Sequence, residues 1–573
     1  MSTWQARTRA REILSREIGC VRKVHGRRLK VALAFPNSYY VGMSSLGFQA
    51  AYRLFNDLDD VVCERVFLPA RFGGAGDRAS HTPLRTLESD TPVGEFDVFA
   101  FSVSFEWDYT NILSLLRLAG LPLPAAERHD RHPLVVIGGA VTFLNPEPIA
   151  PFADVIAVGE GEVLIPELAR LVAEGGTRND VLARLGRAPG FYVPALVDVR
   201  YAGDGTVAGF APASDACAAF PVRKAALPAH APVDPPSTLV FTPDTEFGSR
   251  LLIETVRGCA NLCRFCWAGY NYLPVRPFET ARILRRAEQA RAHTARIGLV
   301  SIALCDHPDI DAILSGLLEM GYRVSPASLR IDELTERIVR ALRSGGERTI
   351  TIAPETGSDR LRRVVNKPFT NDEIVERADL AFACGVENLK LYYLVGLPTE
   401  TDDDLAAIRD LTLRIRDRLV ARARPRGSIG RISVSVNPLV PKPFTPFQWL
   451  SLEEPSVTEG KLRRLRAQLA GIDNVRVSAK SGRHTRVQAM LSLGDRRVAP
   501  VIAAAERNGG DWPRAAVEAG IDVGFYVSRD RRGDPLLPWD SIAGGPGPAF
   551  LRSELARSLH EETTSPSSDA KAT

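Results

Sequence analysis

A chain of 573 residues, 45% hydrophobic and 24% charged, has the makeup of a globular protein of roughly three or four domains with ample core. Its 72 basic and 68 acidic residues nearly cancel to +4, so overall charge selects no nucleic acid, membrane or acidic partner. No stretch nears the roughly 20 apolar residues of a membrane span, and the amino terminus lacks a signal peptide's apolar core. The expectation is a cytoplasmic protein whose thiols stay reduced.

Residues 1–30 form a basic arm carrying Arg7, Arg9, Arg11, Arg16, Arg22, Lys23, Arg27, Arg28 and Lys30. A nucleic-acid arm is one reading. Glu12 and Glu17 interrupt the run, and Ile13, Leu14 and Ile18 share a helical face, which favours an amphipathic helix leading into the first strand.

Residues 31–195 alternate strand and helix. Five short β-rich runs (LKVALAFPN, VVCERVFLP, FDVFAFSVSF, PLVVIGGAV, ADVIAVGEGE) spaced by helical patterns predict a doubly wound, flavodoxin-like parallel sheet. Such sheets bind ligands at the carboxyl ends of their strands. Those ends are small and polar here: Asn37 and Ser38, Ser102 and Ser104, Gly138 and Gly139, Glu160 and Gly161. Glycines there either admit something large and flat or simply turn the chain.

Residues 196–245 are dense in Ala and Pro without sustained period, and read as a linker wrapped over its neighbours. A second alternation occupies 246–450. Its candidate strands are LLIETVRG, IGLVSIAL, YRVSPASLR, RTITIAPET, NLKLYYLVGLP and RISVSVNPL. Six βα steps predict a partial (β/α)6 barrel with its chemistry at the carboxyl ends of the strands. Residues 451–573 read as a small α-rich region ending in a disordered tail, HEETTSPSSDAKAT.

Three of the chain's eight cysteines, Cys259, Cys263 and Cys266, fall in RGCANLCRFCWAGY, directly after the first barrel strand. Structural zinc and ordinary iron–sulfur sites take four protein ligands. Three close-set cysteines leave a coordination position for a distant residue or for something that is not protein. A zinc site completed elsewhere in the chain is the alternative, although no second ligand pair accompanies the first.

Cys-x3-Cys-x2-Cys with Phe265 before the last cysteine, placed after the first strand of a partial barrel, resembles the radical S-adenosylmethionine (SAM) superfamily. The resemblance implies a 4Fe–4S cluster on three thiolates whose fourth iron is chelated by SAM. It also implies reductive cleavage to a 5′-deoxyadenosyl radical, with the cofactors carrying the chemistry, and an electron donor of flavodoxin or ferredoxin type. It further implies SAM contacts at Glu355, Gly357 and Ser358 in IAPETGSDRLRRVVNK, at Arg330 for the carboxylate, and at Lys390 and Gly396 (GLPTE) near the adenine. PKPFTPFQW is shared with the same subgroup. The usual Gly-Gly-Glu-like stretch after the second strand is replaced by SIALCDHPD, which leaves Asp306 as the candidate amino-group contact and Cys305 as core packing or a thiol.

Placed before such a barrel, the first sheet resembles a cobalamin-binding domain, and the whole chain resembles an uncharacterised bacterial family with that arrangement. No Asp-x-His-x-x-Gly motif supplies a histidine to cobalt. The implied activity is a cobalamin-dependent methyl or alkyl transferase. The alternatives are a radical SAM enzyme without cobalamin, acting on RNA or a small molecule, and a non-catalytic iron–sulfur or cobalamin sensor. Trp539 and Asp540 read either as a lid or as a turn with its anchor. The basic segments RIRDRLVARARPRGSIGR and KLRRLR suit RNA or, at their helical spacing, a solvated face, and the solvated face is preferred. The substrate is not legible.

Overall fold

A computed structural model describes residues 3–69, 83–213, 220–229, 231–326, 329–427 and 429–565. Five parallel strands, β1 (Leu29–Phe35), β2 (Val61–Phe67), β3 (Val98–Ser102), β4 (Leu134–Gly138) and β5 (Val155–Ala157), lie in the order β2-β1-β3-β4-β5. A short antiparallel strand, β6 (Phe191–Tyr192), closes the far edge. This is the flavodoxin-like order, whose direction reverses between β1 and β3. The strands are continuous apolar runs because both faces are covered. Helices Leu46–Asn56, Gly161–Ala173 and Arg178–Arg187 pack on one face. Helix Tyr109–Leu118 and carboxy-terminal helices, Ala499–Asn508 among them, pack on the other.

The basic arm is a helix, Thr3–Ser15, followed by an extended segment fastened to this sheet. Ile18 bridges Phe241, and Glu17 pairs with buried Arg65 at 2.7 Å. Lys23 Nζ donates to the carbonyls of Asn56, Leu58 and Val61. Within the Ala/Pro-rich stretch, β7 (Val197–Tyr201) and β8 (Val207–Pro212) form an antiparallel hairpin, and β9 (Val222–Arg223) follows. Residues 214–219 and 230 of that stretch lie outside the described residues.

The second alternation forms β10 (Leu251–Arg257), β11 (Arg276–Pro277), β12 (Arg296–Ser301), β13 (Arg323–Pro326), β14 (Thr349–Glu355), β15 (Asn388–Val395), β16 (Ile432–Pro438) and β17 (Val475–Ala479). Parallel runs β10-β12-β13 and β14-β15-β16-β17 make two half-sheets, with Leu329 N–H donating to Thr351 at 3.4 Å between them. All six foreseen barrel strands are present. The seventh, β17, comes from the region read as helical, and pairs along β16 from Val475 to Ala479. Side chains alternate across each strand. On β15, Leu389, Leu391, Tyr393 and Val395 are buried against the outer helices, while half-buried Lys390, Tyr392 and Leu394 face the lumen.

The carboxy-terminal segment returns to the first sheet. Asn145 donates to the carbonyls of Ser492 and Gly494, Arg496 pairs with Glu147 at 2.9 Å, and β18 (Ile542–Ala543) pairs with β9. Lys442, just past β16, pairs with buried Glu106 from the loop after β3, and Ser492 joins both. Among the described residues no helix is long and apolar enough to cross a membrane.

Candidate active site

β10 ends at Arg257, and Gly258 turns the chain with φ +99, where a Cβ would stand 2.5 Å from the Tyr272 carbonyl oxygen. The cysteine loop therefore starts at the carboxyl end of the first barrel strand. Cys259 is buried, and Cys263 and Cys266 are half-buried. Burial pushes the Cys259 thiol up to about 11 and raises Cys263 and Cys266 as well. Against that, backbone N–H groups of Ala268 and Gly269, at the start of helix Trp267–Asn271, favour a Cys266 thiolate, and Lys367 acts on Cys263. One buried and two half-buried thiols with N–H donors and a nearby cation suit a metal that keeps them as thiolates. Among the described residues, no three His, Cys, Asp or Glu side chains are grouped as around a single ion.

The loop is held from behind. Asn366 donates to the carbonyls of Asn261 and Leu262, and Tyr270 donates its hydroxyl to Leu262. Arg264, inside the motif and fully buried, pairs with Glu554 of helix Pro548–Leu559 at 3.1 Å. It also donates to the carbonyls of Arg363 and Val364 and to the Thr564 hydroxyl. Phe265, partly buried, packs on the same core.

In front of the loop, the ends of β12 and β13 bring Asp306 and Arg330 together at 2.9 Å. Arg330 also forks onto Asp332, and the Asn261 amide, turned with its oxygen towards Arg330, accepts from it at 2.7 Å. Asp306 Oδ2 is buried without a partner. Cys305 is half-buried and packs against the barrel core, with its thiol pushed up to about 12 by burial. At the end of β14, buried Glu355 has φ +65 and accepts from Lys367 at 2.9 Å.

Other foreseen positions do structural work. A Cβ on Gly357 would lie 2.0 Å from Ile408 N, so that glycine lets helix Asp402–Ala423 approach. Ser358 caps helix Asp359–Val364 and contacts Asp404. Gly396 turns with φ +76, its N–H donating to Glu400, which Lys461 also holds. Lys390 lies low in the lumen, 4.9 Å from the Tyr392 ring. Trp539 is fully buried and donates to Gln448, and Asp540 accepts from Leu537 N, which makes the pair an anchor and its turn. Of the tail, Glu561 pairs with Arg360 and Thr564 N–H donates to Asn366, whereas 566–573 lie outside the described residues.

A cavity of about 480 Å³ enters the first sheet at its carboxyl edge and opens onto the barrel. Ser102, Ser104, Gly138, Gly139, Glu160 and Gly161 line it, and it continues past Glu254, Arg257 and Gly258. Asn37 and Ser38 are not in its wall: Asn37 donates to Asp108, and Ser38 caps helix Tyr39–Met43. Gly139 (φ +108) and Gly159 (φ +133) are fixed by backbone crowding, with Val103 and Ala225 carbonyl oxygens 2.4 and 2.1 Å from a Cβ. At Gly47 and Gly138 a Cβ meets nothing closer than 4.0 and 3.6 Å, so the protein itself does not require glycine there.

In the cavity wall towards the cysteine loop sits a charge cluster of which sequence reading named only Glu160. Arg257 contacts Glu160 at 3.0 Å and both Glu162 and Glu254 at 2.7 Å. Arg276 forks onto Glu160 at 2.5 and 3.0 Å. Burial would raise Glu160, but the guanidiniums outweigh it and hold the carboxyl below its usual range, whereas burial wins at Glu254. Beside it, Lys224 lies over the rings of Phe143 and Tyr272 at 5.3 and 5.4 Å.

Residues 47–194 match the family described as radical SAM proteins, N-terminal, and 253–412 match the radical SAM superfamily. An uncharacterized protein of Methanocaldococcus jannaschii is 26% identical over 474 residues, covering 82% of this chain and 90% of that one. Among solved structures, the cobalamin-dependent S-adenosylmethionine radical enzyme OxsB is 14% identical with a TM-score of 0.44. That likeness covers 67% of this chain and 52% of the other, about half of that enzyme's length. Coproporphyrinogen III oxidase (HemN) from Escherichia coli is 13% identical with a TM-score of 0.27, covering 48% and 80%.

Proposed function

The chain belongs to the radical SAM superfamily, and from that premise we propose a cobalamin-dependent methyl or alkyl transferase whose 4Fe–4S cluster is held by Cys259, Cys263 and Cys266. When bound, the cluster and SAM supply a carbon-centred radical, and cobalamin supplies the transferable methyl group.

The chain's own residues divide that work. Arg330 and Asp306 present a guanidinium beside a carboxylate, the complement of an α-amino acid's carboxylate and ammonium, and the unpartnered Asp306 Oδ2 is free to accept an N–H. Glu355, steadied by Lys367, offers a carboxylate to ribose hydroxyls, with Gly357 and Ser358 fixing its turn. Phe265 in the cysteine loop and Gly396 at the end of β15 would contribute to holding the adenosyl group. Arg257 and Arg276 keep Glu160 ionised and immobile in the cavity wall.

The observation carrying the cobalamin half is the cavity. Its lining carries Gly47 and Gly138, where a Cβ would meet no close neighbour, and it reaches Gly258, one residue before Cys259. Among the described residues no histidine lines it, so the wall would hold the group by shape and hydrogen bonds. Reduction calls for a flavodoxin- or ferredoxin-type donor.

The test is to express the protein with cobalamin supplied, purify it anaerobically, and assay corrinoid against iron. Near-stoichiometric corrinoid beside about four irons supports the reading. Iron without corrinoid after reconstitution reduces the first domain to a scaffold and removes methyl transfer.

A further inference from the structure

Most arginines of this protein are committed to carboxylates. On helix Asp402–Ala423, Arg414 pairs with Asp372 at 2.5 Å and Arg422 with Asp379 at 2.6 Å, and on the KLRRLR helix Arg464 pairs with Asp402 at 2.9 Å. In the two basic segments most conspicuous in the sequence, Arg414, Arg416, Arg422, Lys461 and Arg464 are therefore neutralised within the fold.

One region departs from this. From Val475 to Gly494 the chain has five basic or imidazole side chains, Arg476, Lys480, Arg483, His484 and Arg486, and no Asp or Glu. Among the described residues none of its four cations makes an ion pair. All but half-buried Arg486 are exposed. Glu459, on the preceding helix, accepts from the Gly482 N–H at 2.7 Å.

Their placement gives the charge a direction. β17 is the outer strand of its half-sheet, with Val475, Val477 and Ala479 on the core side. Alternation puts Arg476, Ser478 and Lys480 on the lumen side, and Lys480 continues the ladder through its N–H to Val436. The same register brings Lys390, Ser433 and Arg476 into one row across three strands. A cationic, hydroxyl-bearing track thus runs from the open flank into the barrel. At its outer end exposed His484 stacks on Trp107, centroids 4.0 Å apart and planes within 13°, leaving an imidazole face to solvent.

We infer that this flank binds single-stranded nucleic acid, with cations on the phosphates and the His484–Trp107 stack beneath a base. Arg476 and Lys480, four residues apart on an extended strand, are roughly 13 Å apart, which spans more than one phosphate and favours an oligomer over a single nucleotide. Unpaired cations interleaved with a flat ring are the groups such a ligand needs. The inference concerns binding and stands apart from the radical SAM reading, because the row through Lys390 lies near the amino ends of the strands, away from the cysteine loop.

The test is fluorescence anisotropy of a labelled uridine oligoribonucleotide with full-length protein, over a salt series and without reductant or SAM. Wild type should bind, and R483Q/R486Q should bind at least tenfold more weakly, with the log K against log salt slope reduced by about 1.4. R483K/R486K should stay within about threefold of wild type, which separates charge from misfolding. H484A should lose about tenfold. R414Q/R422Q, altering the neutralised helix, should match wild type. No binding at physiological salt, or equal binding by R483Q/R486Q, overturns the inference. Competition by uridine monophosphate as effective as the oligomer overturns the polymer assignment. Because the readout needs no cofactor, RNA binding without deoxyadenosine formation would count against the radical reading alone.

Discussion

At the level of single residues, the cysteine loop is governed by charges that must be balanced where water is scarce. Lys367 and Glu355 are such a pair. Glu355→Gln strands the lysine ammonium, and a loss of about 3 kcal/mol is expected in denaturant unfolding of the apo protein. The double change E355Q/K367M should recover much of that loss, because no unpaired charge remains. Cys263→Ser should cut iron content to near zero after anaerobic reconstitution, with folding of the apo protein retained. Lys224 titrates differently. Burial pushes it down to about 8, whereas a lysine in the unfolded chain titrates near 10.4. Between those values the unfolded chain binds more protons, so stability rises with pH. Relative to K224M, wild type should gain thermal stability from pH 8 to pH 10, read by parallel melts. A constant difference would show that Lys224 keeps its proton throughout.

Elements were legible in proportion to how local their causes are. The five strands of the first sheet and the six foreseen barrel strands announce themselves because buried parallel strands are unbroken apolar runs. β17 escaped because VRVSA carries an arginine and a serine on its lumen side, so its alternation is short and follows a basic helix. The β7–β8 hairpin was masked by the Ala/Pro-rich text around it, although Gly205 marks its turn. The site divides the same way. Cys259, Cys263 and Cys266 are close in sequence, and their spacing is readable. Partners such as Glu554 for Arg264, or Glu160 for Arg276, lie far along the chain, and no periodicity links them. Helix Pro548–Leu559 yields a prediction. Glu554→Gln should loosen the loop, so the three cysteines of the apo protein should be alkylated several-fold faster, while E554D keeps the wild-type rate. Equal rates would mean that Asn366 and Tyr270 suffice.

Across the whole molecule, the parts are joined by a shared apolar core and by buried polar contacts. Glu106, Lys442 and Ser492 meet from the first sheet, the barrel and the carboxy-terminal helices. Lys442→Met leaves Glu106 without its cation, and its carboxyl, now held below the usual range by Lys442 against burial, should lose that hold. Unfolding should then separate into two transitions, seen by comparing calorimetric and van't Hoff enthalpies. A single transition would place the coupling in the apolar contacts instead. The brace behind the cysteine loop has a consequence in time. Residues 259–266 are translated long before 548–564, and at 5–20 residues per second the interval is roughly 15–60 s. Through that interval Arg264 has no Glu554, and three thiols sit on a half-fastened loop. The brace is thereby completed only on a nearly finished chain, and a ribosome stalled short of that helix would leave the three thiols on a loop without it.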